Sequence, residues 1–347
     1  MRPKSPPFAL GYTVQLSVAT LIVTLSALVF AAGEPVVASP GLGLPLQCTI
    51  SQDCWVANYV DVDTSPDVRD FKCRARTYDG HDGVDFAIRD LSVMAQGVSV
   101  VASAAGVVKN IRDGMQDVAI CAIASTRNIK GRECGNGVVI DHVGGWQTEY
   151  CHLRQGSIRV KPGQQVNAGT PIGLVGLSGQ TEFPHVHLAV RRNGAKIDPF
   201  TGQTLNAGCG KLTRSLWRAD LKLNYENVAL YNAGFATEPP DATAIRNGSR
   251  SDGPFKPNVP ALIMWVDALG VEAGDRLRFR LSKPNGEVLL EHEQRIEKTQ
   301  ARRFVYVGSR RTGKVWPTGT YTGEVTHLRL IDAQPNATQI KRSVDIR

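Results

Sequence analysis

The feature that most limits what this chain can fold into is a succession of short segments of β character, each closed off by glycine. They are Val84–Ile88, Val98–Ala102, Gly106–Ile111, Gly137–His142, Thr148–Leu153, Pro171–Gly176 and His185–Val190. Period-two alternation bounded by turn residues marks half-buried strands. Gly163, Gly169, Gly173, Gly176 and Gly179 read as punctuation between them. No helical period persists beyond about a dozen residues. Strands resume at Ala261–Val266, Arg276–Leu281, Val288–Glu291, Arg303–Val307, Gly319–His327 and Ile340–Ile346. Lys283-Pro-Asn-Gly286 is a turn signal between two of these. The alternating Arg276-Leu-Arg-Phe-Arg-Leu281 predicts one charged and one buried face. The chain is therefore expected to be all-β, with a first β domain over 48–211, a polar connection over 212–252 and a small, immunoglobulin-like β-sandwich over 253–347.

The N-terminus carries different information. Arg2 and Lys4 precede an uncharged stretch from Ser5 to Gly33, apolar from Val14 and followed by the small residues Ala31 and Ala32. That is the pattern of a secretory signal, and the run also suffices for a single membrane anchor. Residues 1–32 are thus read as signal peptide or N-terminal anchor, and 33–47, with Pro35 to Pro45, as a Gly/Pro-rich linker. Either way the remainder is expected to be secreted, periplasmic or at the cell envelope, with membrane contact only if the run is retained. A polytopic membrane protein is excluded.

The net charge of +8 is unevenly distributed. Ser39 to Lys211 holds 17 Lys/Arg against 16 Asp/Glu, a balance of +1, whereas 212–347 holds 21 against 15, a balance of +6. Arg295, Lys298, Arg302, Arg303, Arg310, Arg311 and Lys314 supply much of that excess. A solvated β face explains it, as does contact with an anionic envelope polymer. Export argues against nucleic acid as the partner.

Seven cysteines also suit an oxidising compartment. Cys121 with Cys134 is the expected pair, and Cys54 with Cys73 a second candidate; the odd number leaves one over. No C-x2-C pair supports a zinc finger.

The chemistry concentrates in histidines. His185 and His187 are two apart on a strand, so both point to one face while Val186, Leu188 and Val190 pack on the other. His81 and Asp85 flank Gly83, read here as permitting a tight turn. Asp85 lies opposite the inward Val84, Phe86 and Ile88. Two histidines and one aspartate leave a coordination position open, the pattern of a catalytic rather than a structural zinc. His152 is expected to share the face of Tyr150, with Cys151 and Leu153 towards the core, and to act without ligating. Asp82 reads as a solvated charge. His142 reads as a turn residue, and His292 and His327 as structural or solvated. Trp146 and Tyr150 are candidates to flank a groove, with core packing favoured for Trp146.

The sequence His81-x3-Asp85, then Tyr150-x-His152-Leu153, then Pro184-His185-x-His187 resembles the lysostaphin/LytM family of zinc peptidases, family M23. The connecting Gly135-Asn-Gly-Val-Val-Ile-Asp-His142 and Val160-Lys-Pro-Gly-Gln-Gln-Val-Asn-Ala-Gly-Thr-Pro-Ile-Gly173 resemble it too. The resemblance extends over roughly Arg76 to Phe200. It implies a LytM-like antiparallel β catalytic domain with His81, Asp85 and His187 as Zn2+ ligands. It also implies His152 and His185 as non-ligand active-site histidines, peptide-bond hydrolysis, and peptidoglycan stem peptides or cross-links as substrate. Glu182-Phe183 before Pro184, Leu188-Ala189 after His187 and the long stretch between Asp113 and Glu133 depart from the pattern and leave the substrate open. The alternatives are a catalytically silent LytM-like module that binds cell wall or activates another hydrolase, and a zinc endopeptidase acting on an extracellular protein.

Overall fold

In the computed structural model, residues 39–120, 129–211, 213–249 and 253–347 are described, with Gly11 besides. The apolar N-terminal run lies outside the described residues, as does Cys121. No helix among the described residues is long and apolar enough to cross a membrane.

Residues 38–347 form one compact unit. Its first part contains β1 (Cys54–Asn58), β2 (Gly83–Ile88), α1 (Leu91–Gln96), β3 (Ser99–Val101), β4 (Gly106–Arg112), β5 (Asn136–Asp141), β6 (Trp146–Leu153), β7 (Gln165–Val166), β8 (Pro171–Leu174), β9 (His185–Arg192) and β10 (Ala195–Ile197). The main sheet runs β1-β2-β9-β6-β5-β4-β7, with β10 added to β9, and every pairing is antiparallel. β3 and β8 form a separate pair.

Alternation sorts this sheet into two faces. Val84, Phe86, Val186, Leu188 and Val190 fill the core on one side, all essentially inaccessible. Trp217 meets Phe86 edge to face there, at 5.8 Å between centroids. Leu42 and Leu46, within the stretch read as a linker, are also buried, and Leu42 pairs with Trp217. The other face carries Asp85, His185 and His187, because register sets Asp85 opposite His187 and Ala87 opposite His185.

The second part is a β-sandwich. Its strands are β11 (Ala229–Ala236), β12 (Ala261–Val271), β13 (Arg276–Ser282), β14 (Val288–Arg295), β15 (Gln300–Arg310), β16 (Gly319–Ile331) and β17 (Gln334–Ile346), with α2 (Ala242–Arg246) between β11 and β12. A three-stranded sheet, β11-β12-β15, packs on a four-stranded one, β14-β13-β16-β17. Leu262, Met264, Val266, Leu277, Phe279 and Val325 are among the core residues between them. The expected alternation of Arg276-Leu-Arg-Phe-Arg-Leu281 is realised: the arginines are exposed and Leu277, Phe279 and Leu281 fully buried. β11 lies in the segment read as a polar connection.

The outer face of β11 and β12 packs against the histidine-bearing face of the first sheet. Trp55, Ala57 and Ala87 meet Ala229, Tyr231 and Leu269 in one apolar cluster, with Phe183 against it. Arg76, nearly inaccessible, donates to the Leu269 carbonyl at 3.2 Å and also to that of Val56.

The disulfides differ from both expected pairs. Cys48 joins Cys54, Cys73 joins Cys209 and Cys134 joins Cys151. Cys134 sits beside Cys151 because β5 and β6 are antiparallel neighbours. That register brings them together across 17 residues, so Cys134 is not left for Cys121.

Candidate metal centre

His81 Nε2, Asp85 Oδ1 and His187 Nδ1 converge. Nε2 of His81 lies 3.1 Å from Asp85 Oδ1 and 3.1 Å from His187 Nδ1, and the third edge is 2.9 Å. Tetrahedral donors about 2.0–2.1 Å from a zinc ion stand about 3.3 Å apart, so this triangle closes around an ion of that size with little adjustment. All three residues are buried. Among the described residues, two other clusters of possible donors contain Cys48 with Cys54 and Cys134 with Cys151, whose sulfurs are already bonded to one another.

Each donor is oriented from behind, as metal ligands generally are. His81 Nδ1–H donates to the Tyr59 carbonyl at 2.6 Å, which leaves Nε2 as the free donor atom. Asn58 donates to Asp85 Oδ2 at 2.8 Å. His187 Nε2 lies 3.4 Å from Asp82 Oδ1, and Lys196 Nζ holds the same carboxylate at 3.0 Å. Asp82 is therefore not the solvated charge read from the sequence. The chain just before β2 bends it back over the His187 ring, a contact that strand alternation alone does not predict.

Electrostatics follow from this packing. Burial opposes ionisation of Asp85, but His81, His185 and His187 hold its carboxyl well below the usual range. Burial likewise opposes a charge on His187, and Asp82 and Asp85 outweigh it, raising the imidazole to about 9.

Gly83 is needed for space. A β-carbon there would stand 2.5 Å from His187 Nε2 and 2.7 Å from the Leu188 carbonyl. Gly83 has no positive φ, so the expected tight turn is replaced by close approach of the His187 ring.

His152 reaches the site by a different route from the one expected. Register places Cys151 opposite His187, so the pleat gives Cys151, not His152, to the functional face. Tyr150 lies fully buried on the other face, its hydroxyl accepting from the Ser103 amide at 2.6 Å, and does not flank a groove. His152 has φ +63°, a left-handed conformation uncommon outside glycine. That breaks the alternation and brings its ring to 4.7 Å from His185 and 6.0 Å from His187. Its Nδ1–H donates to the Ser178 carbonyl at 2.8 Å. Burial, with His185 and His187 nearby, keeps it neutral by pushing its pKa well below the ordinary value. Nε2 is then the available acceptor.

His185 Nδ1 lies 2.9 Å from the Phe183 carbonyl, and its Nε2 lies 3.4 Å from Asp85 Oδ1. The four histidines and the aspartate expected from the motifs thus lie together, and His81, His152 and His187 line a cleft whose walls include Tyr78, Glu149 and Arg191. Tyr78 lies against His81 at 4.3 Å between ring centroids. The remaining histidines are elsewhere. His142 is held between the Ala105 carbonyl and Thr148 Oγ1, both at 2.8 Å. His327 is fully buried in the sandwich, 2.8 Å from Asp275.

Residues 79–199 match peptidase family M23, and all five residues lie inside that match. The DD-carboxypeptidase/endopeptidase Mpg of Neisseria meningitidis serogroup B is 33% identical over 128 residues, which cover 35% of this chain and 22% of that protein. The peptidoglycan DD-endopeptidase ShyA of Vibrio cholerae is 35% identical over 118 residues, covering 34% and 22%. The chain spans about a fifth of the length of these curated relatives. Among solved structures, the catalytic domain of the prophage-encoded M23 protein EnpA from Enterococcus faecalis is 28% identical, with 41% of this chain and 96% of that one covered at a TM-score of 0.28. The M23 resemblance read from the motifs is borne out over the segment that carries the site.

Proposed function

We propose that this chain is an exported zinc metallo-endopeptidase that hydrolyses peptide bonds in peptidoglycan stem peptides or cross-links. The observation that carries the reading is the closed triangle of His81 Nε2, Asp85 Oδ1 and His187 Nδ1 beside the neutral, inward-turned His152. The M23 match and the names of the relatives support the substrate class. His81, Asp85 and His187 hold the metal. Zinc bound there supplies Lewis acidity towards a scissile carbonyl and towards water.

The chain's own residues provide the proton handling. His152, tied through Nδ1 to the Ser178 carbonyl, presents Nε2 to accept a proton from the attacking water. His185, anchored through Nδ1–H on the Phe183 carbonyl with Nε2 beside Asp85 Oδ1, serves in its doubly protonated form as the Nε2–H donor to the developing oxyanion. Residues 48–211 form the catalytic part, and the sandwich, 253–347 together with β11 (Ala229–Ala236), an accessory part. The basic excess of that accessory part is a candidate contact for an anionic envelope polymer, although Arg302 and Arg303 stand on alternate sides of β15 and make no single patch.

Mass spectrometry of sacculi digested by the zinc-loaded protein tests the reading and identifies the bond together. Release of muropeptides is expected. A protein that holds zinc yet releases none sinks the reading and favours a silent cell-wall-binding module; cleavage confined to a protein substrate favours an extracellular endopeptidase. His187→Ala should lose zinc, whereas His152→Ala should keep zinc and lose turnover by about 10²-fold or more.

A further inference from the structure

The functional face of the first sheet continues beyond the metal triangle. Along β2 and β9, the next residues on that face after Asp85 and His187 are Ala87 and His185. The chain before β9 then presents Phe183, whose ring lies 4.7 Å from that of His185. Here the sandwich adjoins the sheet, and a cavity of about 490 Å³ opens between Ala87 and Phe183 on one side and Tyr231 and Arg302 on the other. A volume of this order suits part of a peptide.

The cationic groups at this cavity are unequal. Arg246 is committed to Asp267 through two contacts of 2.7 and 2.9 Å, and Arg89 to Asp90 at 2.9 Å. Arg302 has no carboxylate partner among the described residues; its guanidinium stands 5.6 Å from the centroid of the Phe183 ring. Val305 packs into the sandwich core, so the alternation of β15 turns Arg302 outward, towards the cavity. An uncommitted, partly buried guanidinium held over an aromatic ring is a ready partner for a carboxylate.

We propose that this cavity is a subsite for a carboxylate-bearing residue of the peptide substrate, recognised by Arg302 of the sandwich. The inference rests on the peptidase reading above. A peptide lying over Asp85 and His187 along this face passes His185 and enters the cavity. The Ala87, Phe183 and Tyr231 side chains then pack on its aliphatic part while Arg302 takes its charge. The accessory sandwich thereby contributes directly to substrate choice.

The test uses two muropeptides that differ only in free carboxylate against carboxamide groups, with full-length zinc-loaded protein. Wild type is expected to prefer the carboxylate form about tenfold in kcat/KM, through KM. Arg302→Gln should lose that preference with kcat within about twofold, and Arg302→Lys should keep part of it. An equal KM for the two peptides in wild type overturns the proposal, as does an equal KM rise on both in Arg302→Gln. Wild type and Arg302→Lys decide the matter even if Arg302→Gln fails to fold. Should wild type cleave neither peptide, calorimetric binding of the same pair separates the two readings. Tighter binding of the carboxylate form retains the subsite while the peptidase reading falls; equal binding removes the subsite.

Discussion

Asp82 Oδ1 stands 3.4 Å from His187 Nε2, on the side of the ring remote from Nδ1, which faces His81 and Asp85. Lys196, at 3.0 Å, and Arg191, at 3.6 Å, hold the same carboxylate, and Arg191 also reaches Glu149 at 2.6 Å. The His187 ring is thus clamped between two aspartates. Losing an oriented second partner of this kind costs roughly 10–100-fold in metal affinity. Asp82→Ala is therefore expected to weaken zinc retention by about that factor, and Asp82→Asn, which keeps an acceptor, by less. Chelator competition measures both; equal affinities for all three proteins would show the contact to be incidental.

Gly83 faces the same ring, close to the same nitrogen. Its substituted β-carbon would meet both the His187 imidazole and the Leu188 carbonyl, and the backbone contact cannot rotate away. Gly83→Ala should yield protein with well under one zinc per chain and a lowered melting temperature. Full zinc loading with an unchanged melting temperature contradicts the close-approach account.

Protons and metal compete at His187. Its imidazole is raised to about 9, against about 6.5 in an unfolded chain. A raised histidine contributes stability that is complete below about pH 6.5 and is lost as pH rises through 9. Metal-free protein should accordingly lose thermal stability across that window. Zinc must displace the same proton, so its apparent affinity should weaken by about tenfold per pH unit on descending from pH 9. Melting curves and zinc titrations from pH 6.5 to 9 report the two effects; a flat profile in both rejects the assignment.

The Cys73–Cys209 bridge closes a loop of 136 residues. Chain entropy alone assigns such a loop about 5 kcal/mol of unfolded-state destabilisation. The double variant Cys73→Ser/Cys209→Ser should lose a few kcal/mol in denaturant unfolding while the metal triangle, which contains neither residue, persists. An unchanged midpoint would mean that the unfolded chain is already restricted there.

Much of the site was legible because its signals are local. His185 and His187 share a face by strand period, and Asp85 opposes Val84 and Phe86 for the same reason; the structure keeps both relations. Gly83 was singled out by its position between two candidate ligands, but its reason lies in His187, more than a hundred residues away. Phe183 was noticed only as a departure from the family pattern. Its contacts with His185 and Arg302 depend on a sandwich edge that the sequence places far downstream.

The sequence by itself determined the all-β architecture, the alternation that buries Val84, Phe86, Leu277 and Phe279, and the residues that converge at the candidate metal centre. Tertiary structure alone decided the aim of His152, the clamp of Asp82 on His187, the disulfide partners and the approach of Arg302 to Phe183. The physical reason is reach. Side-chain alternation is set by each strand's own backbone, whereas sheet register, a single left-handed residue and the docking of two β layers are fixed by contacts between distant segments.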